Sequence, residues 1–230
     1  MRFFLQSRLK HIFGLIVLAT LLAGCAARDQ HPPSLTYSQA LPQKCDGIFP
    51  EGTWQFVHSI NFAGGRDNTT TVIGVTTLAE NSIHSALLTV EGLTLFAADF
   101  LPDDSLNIQR AVPPFDNPHF AEGMMRDIRT IFQPPGGVSQ QGRTAAGNPV
   151  CRYTDGHDMV TDILPKRHDD NDDCWRIRRY TPKATMNLAI TGTSCKVQAN
   201  LFIPQHIELQ SFGMAEYTLK MKLLSADRLQ

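Results

Sequence analysis

Polar and apolar residues alternate with a period of two along most of this chain, in short runs set off by turn residues. The runs WQFVHSI, TTVIGVTTL, IHSALLTV, LTLFAADF, LNIQRAV, VCRYT, DMVTDIL, CWRIRRY, TMNLAIT, HIELQSF and EYTLKMKLL predict about eleven strands. The last is the clearest: Tyr217, Leu219, Met221 and Leu223 share one face, and Thr218, Lys220 and Lys222 share the other. A sheet with one apolar and one wet face follows. The links AENS, VEG, PDDS and TDGH are short, which makes successive strands antiparallel neighbours.

One segment has helical spacing instead. Asn117 is placed to cap it, Pro118 fits the first turn, and Pro134-Pro135-Gly136-Gly137 stops it. Between these signals Phe120, Met124, Ile128 and Ile131 recur on one face beside Phe132, with Glu122 and Arg126 four apart on another. In a chain of many strands, such a helix covers the concave side of a curved sheet. The expected fold is mainly β: a strongly curved antiparallel sheet or an open barrel, lidded by this helix.

The N-terminus follows another rule. Ile12 to Ala23 is an apolar run too short to span a bilayer, preceded by Arg2, Arg8 and Lys10. Leu22-Ala23-Gly24-Cys25 resembles the bacterial lipoprotein signal, with cleavage before Cys25 and diacylation of its sulfur. An uncleaved anchor or a plain secretory signal are the alternatives. Residues 1–24 are therefore read as a signal peptide, 25–44 as a lipidated flexible tether containing Pro32, Pro33 and Pro42, and 45–230 as the domain. Ala26, where some lineages use Asp to retain lipoproteins, implies a periplasm-facing outer-membrane location under enterobacteria-like sorting.

Composition narrows the partners. The chain has 230 residues and a formal charge of −1, and loss of the three basic residues with the signal leaves 206 residues at −4. No basic stripe suggests nucleic acid. Cys45, Cys151, Cys174 and Cys195 remain, an even set suited to two disulfides in an oxidising compartment. Three pairings are possible. A hairpin about Ala184 and Thr185 brings Cys174 opposite Cys195 and leaves Cys45 for Cys151; Cys151 with Cys174 and free buried thiols are the alternatives.

Catalytic motifs are absent: the chain has no G-x-S-x-G elbow, H-E-x-x-H helix, C-x-x-C pair or P-loop. The chain is expected not to be an enzyme and to need neither cofactor nor metal. His58 and His84 lie in strand patterns where they either face a pocket or serve as structural histidines. RHDDNDDC starts like a calcium loop, but Cys174 stands where the glycine is required and Tyr180 where glutamate is, so it reads as a solvated loop.

The segments GVTTL, LLTVEGLTLF, RAVPPFD, VCRYTDG and IPQHIELQSFGMAEYTLKMKLL, with the mid-chain helix, resemble the LolA/LolB superfamily of envelope lipoprotein carriers, in particular a LolB-like group without established function. The resemblance spans roughly residues 45 to 225 and implies an incomplete barrel whose apolar cavity receives acyl chains. It also implies a membrane-contacting leucine in a central hairpin, matched by Leu93 with Val90 in TVEGLT, although Glu91-Gly92 replaces the family's proline-containing turn. Both residues read equally as strand-end core. The four cysteines are not part of the LolB pattern.

A curved sheet of about eleven strands offers more apolar area than one helix covers, so a pocket is expected, lined by Phe96, Phe100, Ile108, Ile128 and Phe132. The same side chains also suit a close-packed core. The expected function is binding of an acylated lipoprotein or glycolipid and its delivery to the outer membrane, with a periplasmic LolA-like carrier as a candidate donor. The alternative is an accessory subunit of an envelope complex that uses the fold, interior filled, for protein interaction. An open cavity favours the first; a solid core with an exposed apolar patch favours the second.

Overall fold

Among the described residues the eleven alternating runs and two further strands form one antiparallel sheet of thirteen strands, strongly curved and not closed. The structure is a computed structural model that describes residues 31–37, 45–64, 68–79, 82–165, 173–212 and 216–229. A first meander consists of β2 (Trp54–Gly64), β3 (Asn68–Ala79), β4 (Ser82–Leu88), β5 (Thr94–Phe100) and β6 (Leu106–Ala111). Helix α1 (Pro118–Phe132) follows. A second meander consists of β7 (Val138–Arg143), β8 (Pro149–Thr154), β9 (Val160–Pro165), β10 (Asp173–Tyr180) and β11 (Met186–Thr193). β12 (Lys196–Gln198) and β13 (Leu201–Ile203) form a separate hairpin, and β14 (His206–Ser211) and β15 (Tyr217–Arg228) fill the gap between the meanders. The sheet edges are β6 and the two-residue β1 (Thr36–Tyr37), which pairs with β7.

All eleven alternating runs are strands. β1, β7, β12 and β13 are additional, and none shows enough alternation to stand out: VSQQGR has no apolar residue after Val138 and LFI is three residues long. The concave face follows the register. Leu219 and Met221 of β15 lie opposite Phe62 and Ile60 of β2, while Lys220 and Lys222 keep the outer face. A bulge between Leu223 and Ser225 adds one residue, and the extra Leu224 is left exposed.

The helix begins and ends where its caps require. Asn117 Oδ1 accepts from the amides of His119 at 3.0 Å and Phe120 at 3.3 Å, and Pro118 takes the first position. The face turned to the sheet is shifted from the expected stripe: Ala121, Met125, Ile131 and Phe132 are buried, Met124 and Ile128 are partly covered, and Phe120 is exposed. Glu122 and Arg126 form the expected i,i+4 ion pair on the outer side.

Residues 31–37 fall within the span expected as a tether. They lie against the outer face of the second meander: Arg152 donates to the Pro33 carbonyl at 2.9 Å and His31 Nδ1 meets the Ala184 carbonyl at 2.8 Å. Arg152 is itself held in a bidentate pair with the fully buried Asp162, with both contacts at 2.7 Å. One compact unit begins at His31. Residues 1–30, 38–44 and the 166–172 loop lie outside the described residues.

Close approach requires glycine at Gly137, where a Cβ would clash with the Thr154 carbonyl oxygen, and at Gly192. A Cβ on Gly192 of β11 would sit 2.9 Å from Trp175 Cε2 and 3.1 Å from Pro204 Cβ, both in rigid rings. Gly192→Ala is expected to cost about 1–3 kcal/mol, measured as a lowered urea midpoint with an unchanged m-value.

Candidate functional site

The concave face converges on one small cavity near the C-terminal end of α1. Phe56 and His58 of β2, Ile131 and Phe132 of α1, Trp175 of β10 and the Leu201–Ile207 segment surround it. Its volume is about 20 Å³, the space of a single water molecule. Phe132 stacks on Phe56 with ring centroids 5.0 Å apart and lies 6.0 Å from His58. Among the described residues, α1 and the β12–β13 hairpin border this cavity from two sides.

Of the five residues expected to line a pocket, Phe132 borders this cavity and the other four lie elsewhere. Phe96 and Phe100 are core side chains of β5. Phe96 packs 6.2 Å from Phe115, and the Arg129 guanidinium sits 5.1 Å from the Phe100 ring centre. Ile128 is partly buried against the core, and Ile108 is 38% exposed on edge strand β6, which no further strand covers.

Two polar groups interrupt the apolar lining. His58 is 2% exposed, and burial pushes its imidazole pKa down to about 4, so it is neutral at pH 7. Trp175 is 3% exposed, and its indole N–H has no hydrogen-bond partner among the described residues. A buried orphan donor costs roughly 1–3 kcal/mol. Trp175 stands in the CWRIRRY run with nothing in the sequence to mark it; its orphan donor depends on neighbours from β11 and β13.

A second polar group fastens the lid. Asp127, on the sheet-facing side of α1, accepts from the Tyr217 hydroxyl of β15 and lies 3.8 Å from Arg179 of β10. Arg179 also approaches Thr130 Oγ1 at 3.4 Å. Burial raises the Asp127 pKa, with the Tyr217 hydrogen bond and Arg179 opposing that shift. Burial and the neighbouring carboxylate push the Tyr217 hydroxyl up, and burial pushes Arg179 down.

Val90 and Leu93 stand at the tip of the β4–β5 hairpin, 67% and 58% exposed. The turn is closed by the Thr89 amide to the Leu93 carbonyl at 2.9 Å and by Gly92, at φ 92°, to the Thr89 carbonyl at 3.0 Å. They are not strand-end core. Cys174 and Cys195 form a disulfide with Cα atoms 5.8 Å apart, as folding about the β10–β11 turn requires. Cys151 is also disulfide-bonded. Cys25 and the side chain of Cys45 lie outside the described residues.

One constellation resembles hydrolase machinery. On the outer face His84 Nδ1 lies 2.7 Å from Asp99, and its Nε2 lies 3.4 Å from Ser82 Oγ. The Ser82 hydroxyl, however, donates to the Ala79 carbonyl at 2.9 Å, so the proton a general base would take is already committed. His84 is half exposed beside it, and Gln109 holds the second Asp99 oxygen at 2.6 Å. The arrangement is a cross-strand polar network that ties β4, β5 and β6 together.

No protein-family model and no curated protein matches the chain. Among solved structures it is similar to a LolA superfamily protein from Nitrosomonas europaea, at 10% identity and TM-score 0.50 over 85% of this chain and 94% of that one. An outer membrane lipoprotein-sorting protein domain from Vibrio parahaemolyticus follows at 6% identity and TM-score 0.45, over 76% and 85%. A DUF1329 family protein from Desulfovibrio piger is 6% identical at TM-score 0.40, over 80% and 88%. The unclosed antiparallel sheet, its helix across the concave side and the likeness to the Nitrosomonas protein together establish that this chain has the LolA/LolB-like fold.

Proposed function

We propose that the chain is a lipoprotein anchored through Cys25 that binds the acyl chains of a lipoprotein or glycolipid beneath α1 and helps deliver them to the outer membrane without catalysis. The observation that supports this best is the concave apolar face closed by one helix, whose inner side carries the Asp127–Tyr217–Arg179 contact rather than continuous apolar packing. The partners of a polar latch can be replaced by water when the helix moves, so α1 is an element that opens for cargo. Transfer needs only differential affinity between donor, carrier and bilayer.

The test is mass spectrometry of lipid extracted without hydrolysis from the purified chain after periplasmic expression with Cys25 replaced. A stoichiometric acylated species is expected. A chain that stays empty when offered lipoprotein or glycolipid overturns the carrier reading and leaves the accessory-subunit reading, which the filled interior and the exposed Val90 and Leu93 favour.

The β4–β5 hairpin supplies the membrane contact in this reading. Leu93→Glu is expected to change folding stability by no more than about 0.5 kcal/mol, because the side chain is exposed. It is expected to lower cargo delivery to vesicles about tenfold, the equivalent of one apolar side chain withdrawn from the bilayer. Unchanged delivery removes the hairpin from the mechanism.

A further inference from the structure

We propose that the slot between Trp175 and His58 receives the carbonyl oxygen of an acyl ester or amide, admitted beneath the β12–β13 hairpin. This rests on the acyl-binding reading and gives it a polar anchor point. The Trp175 indole can only donate, and no described residue accepts from it. His58 lines the same cavity, and as a neutral imidazole it offers one N–H and one lone pair.

An occupant that satisfies both must be an acceptor. An ammonium lacks a lone pair, and a carboxylate would carry charge into a lining of Ile48, Phe56, Ile131, Phe132 and Ile207 at a cost of several kcal/mol. A carbonyl oxygen is neutral, takes two hydrogen bonds, and fits the roughly 20 Å³ available. Its alkyl chain has to leave the slot through apolar surroundings, and Phe202, half exposed on β13, borders the cavity at that rim.

The wall that must give way is built to do so. β12 and β13 pair with each other rather than with the large sheet, and all three residues of β12 are exposed. Gln198 Nε2 reaches the Ala226 carbonyl at 3.1 Å on one side. The Cys174–Cys195 disulfide fixes the root of the hairpin to the strand that carries Trp175. Opening is therefore a swing between Cys195 and Pro204, with Leu201 and Ile203 withdrawn from the cavity.

The chain has two tryptophans, and Trp54 already donates to the Glu51 carbonyl at 3.1 Å, so indole 15N–1H spectra of the full chain read the site directly. On titration with methyl palmitate the Trp175 signal, identified by its loss in Trp175→Phe, should move while that of Trp54 stays. Hexadecane, which lacks the carbonyl, should leave both in place. Trp175→Phe should weaken methyl palmitate about fivefold to tenfold and leave hexadecane unchanged. Binding with no Trp175 shift, or an equal shift with hexadecane, overturns the carbonyl slot and leaves acyl binding standing. No binding of either probe overturns both.

Discussion

Between pH 6.5 and pH 4 the folded chain should lose about 3 kcal/mol of stability that His58→Phe does not lose. The group is a base whose folded pKa, about 4, lies below its unfolded value of 6.5. In that interval the unfolded state binds a proton that the folded state refuses, so stability rises with pH; its contribution is complete above pH 6.5 and disappears as pH falls to 4. At 1.36 kcal/mol per pH unit, 2.5 units amount to about 3 kcal/mol. Phenylalanine keeps the ring contacts with Phe56 and Phe132 and cannot titrate. Urea unfolding at several pH values is the measurement. Equal slopes in both proteins would show that His58 is solvated and the cavity open to water.

The same series should show Asp127 acting in the opposite sense. Its folded pKa is raised, so above the unfolded value of 3.8 the folded state holds the proton longer and stability falls as pH rises through that window. The His58 and Asp127 effects overlap in acid, and only the variants separate them.

Asp127→Ala should destabilise the chain by about 3 kcal/mol. The substitution strips the Tyr217 hydroxyl of its acceptor, worth roughly 1–3 kcal/mol, and leaves Arg179 three-quarters buried without its counter-ion. Loss of one member of a fully buried pair costs roughly 3–5 kcal/mol, and the partial exposure of Arg179 places this case at the lower end. Replacing Arg179 by Met as well should recover more than half of the loss, because two apolar groups need no desolvation. A double variant as unstable as the single would mean that Tyr217 alone holds the helix. Asp127→Asn keeps an acceptor for Tyr217 and should cost about 1 kcal/mol.

Much of the fold was legible because it is local. Alternation along WQFVHSI or EYTLKMKLL needs no partner to be recognised, and each such run is a strand. Asn117, Pro118 and the double proline fix α1 through interactions within one turn. The Cys174–Cys195 pair followed from one hairpin. The TDGH turn was less legible: five residues, Asp155 to Met159, connect β8 and β9, since the Asp155 side chain accepts from the amides of His157 and Met159 and stabilises a wider loop than a two-residue turn.

Distant contacts decided the rest. Whether Phe96 lines a pocket or packs in a core depends on how far the sheet bends and on what enters its concavity, and the β12–β13 hairpin that fills it is only a pair of three-residue strands in sequence. The docking of residues 31–37 depends on a buried Arg152–Asp162 pair more than a hundred residues away. Asp127 was one charge on an amphipathic helix until Tyr217, ninety positions later, and Arg179 were brought beneath it. By itself the sequence determined the strands, the helix ends and the Cys174–Cys195 pairing, because dihedral preference, capping and hairpin register act over a few residues. Only the tertiary structure decided the volume of the interior, the face of α1 and the isolation of the Trp175 N–H, because close packing is a property of side chains that meet from separate parts of the chain.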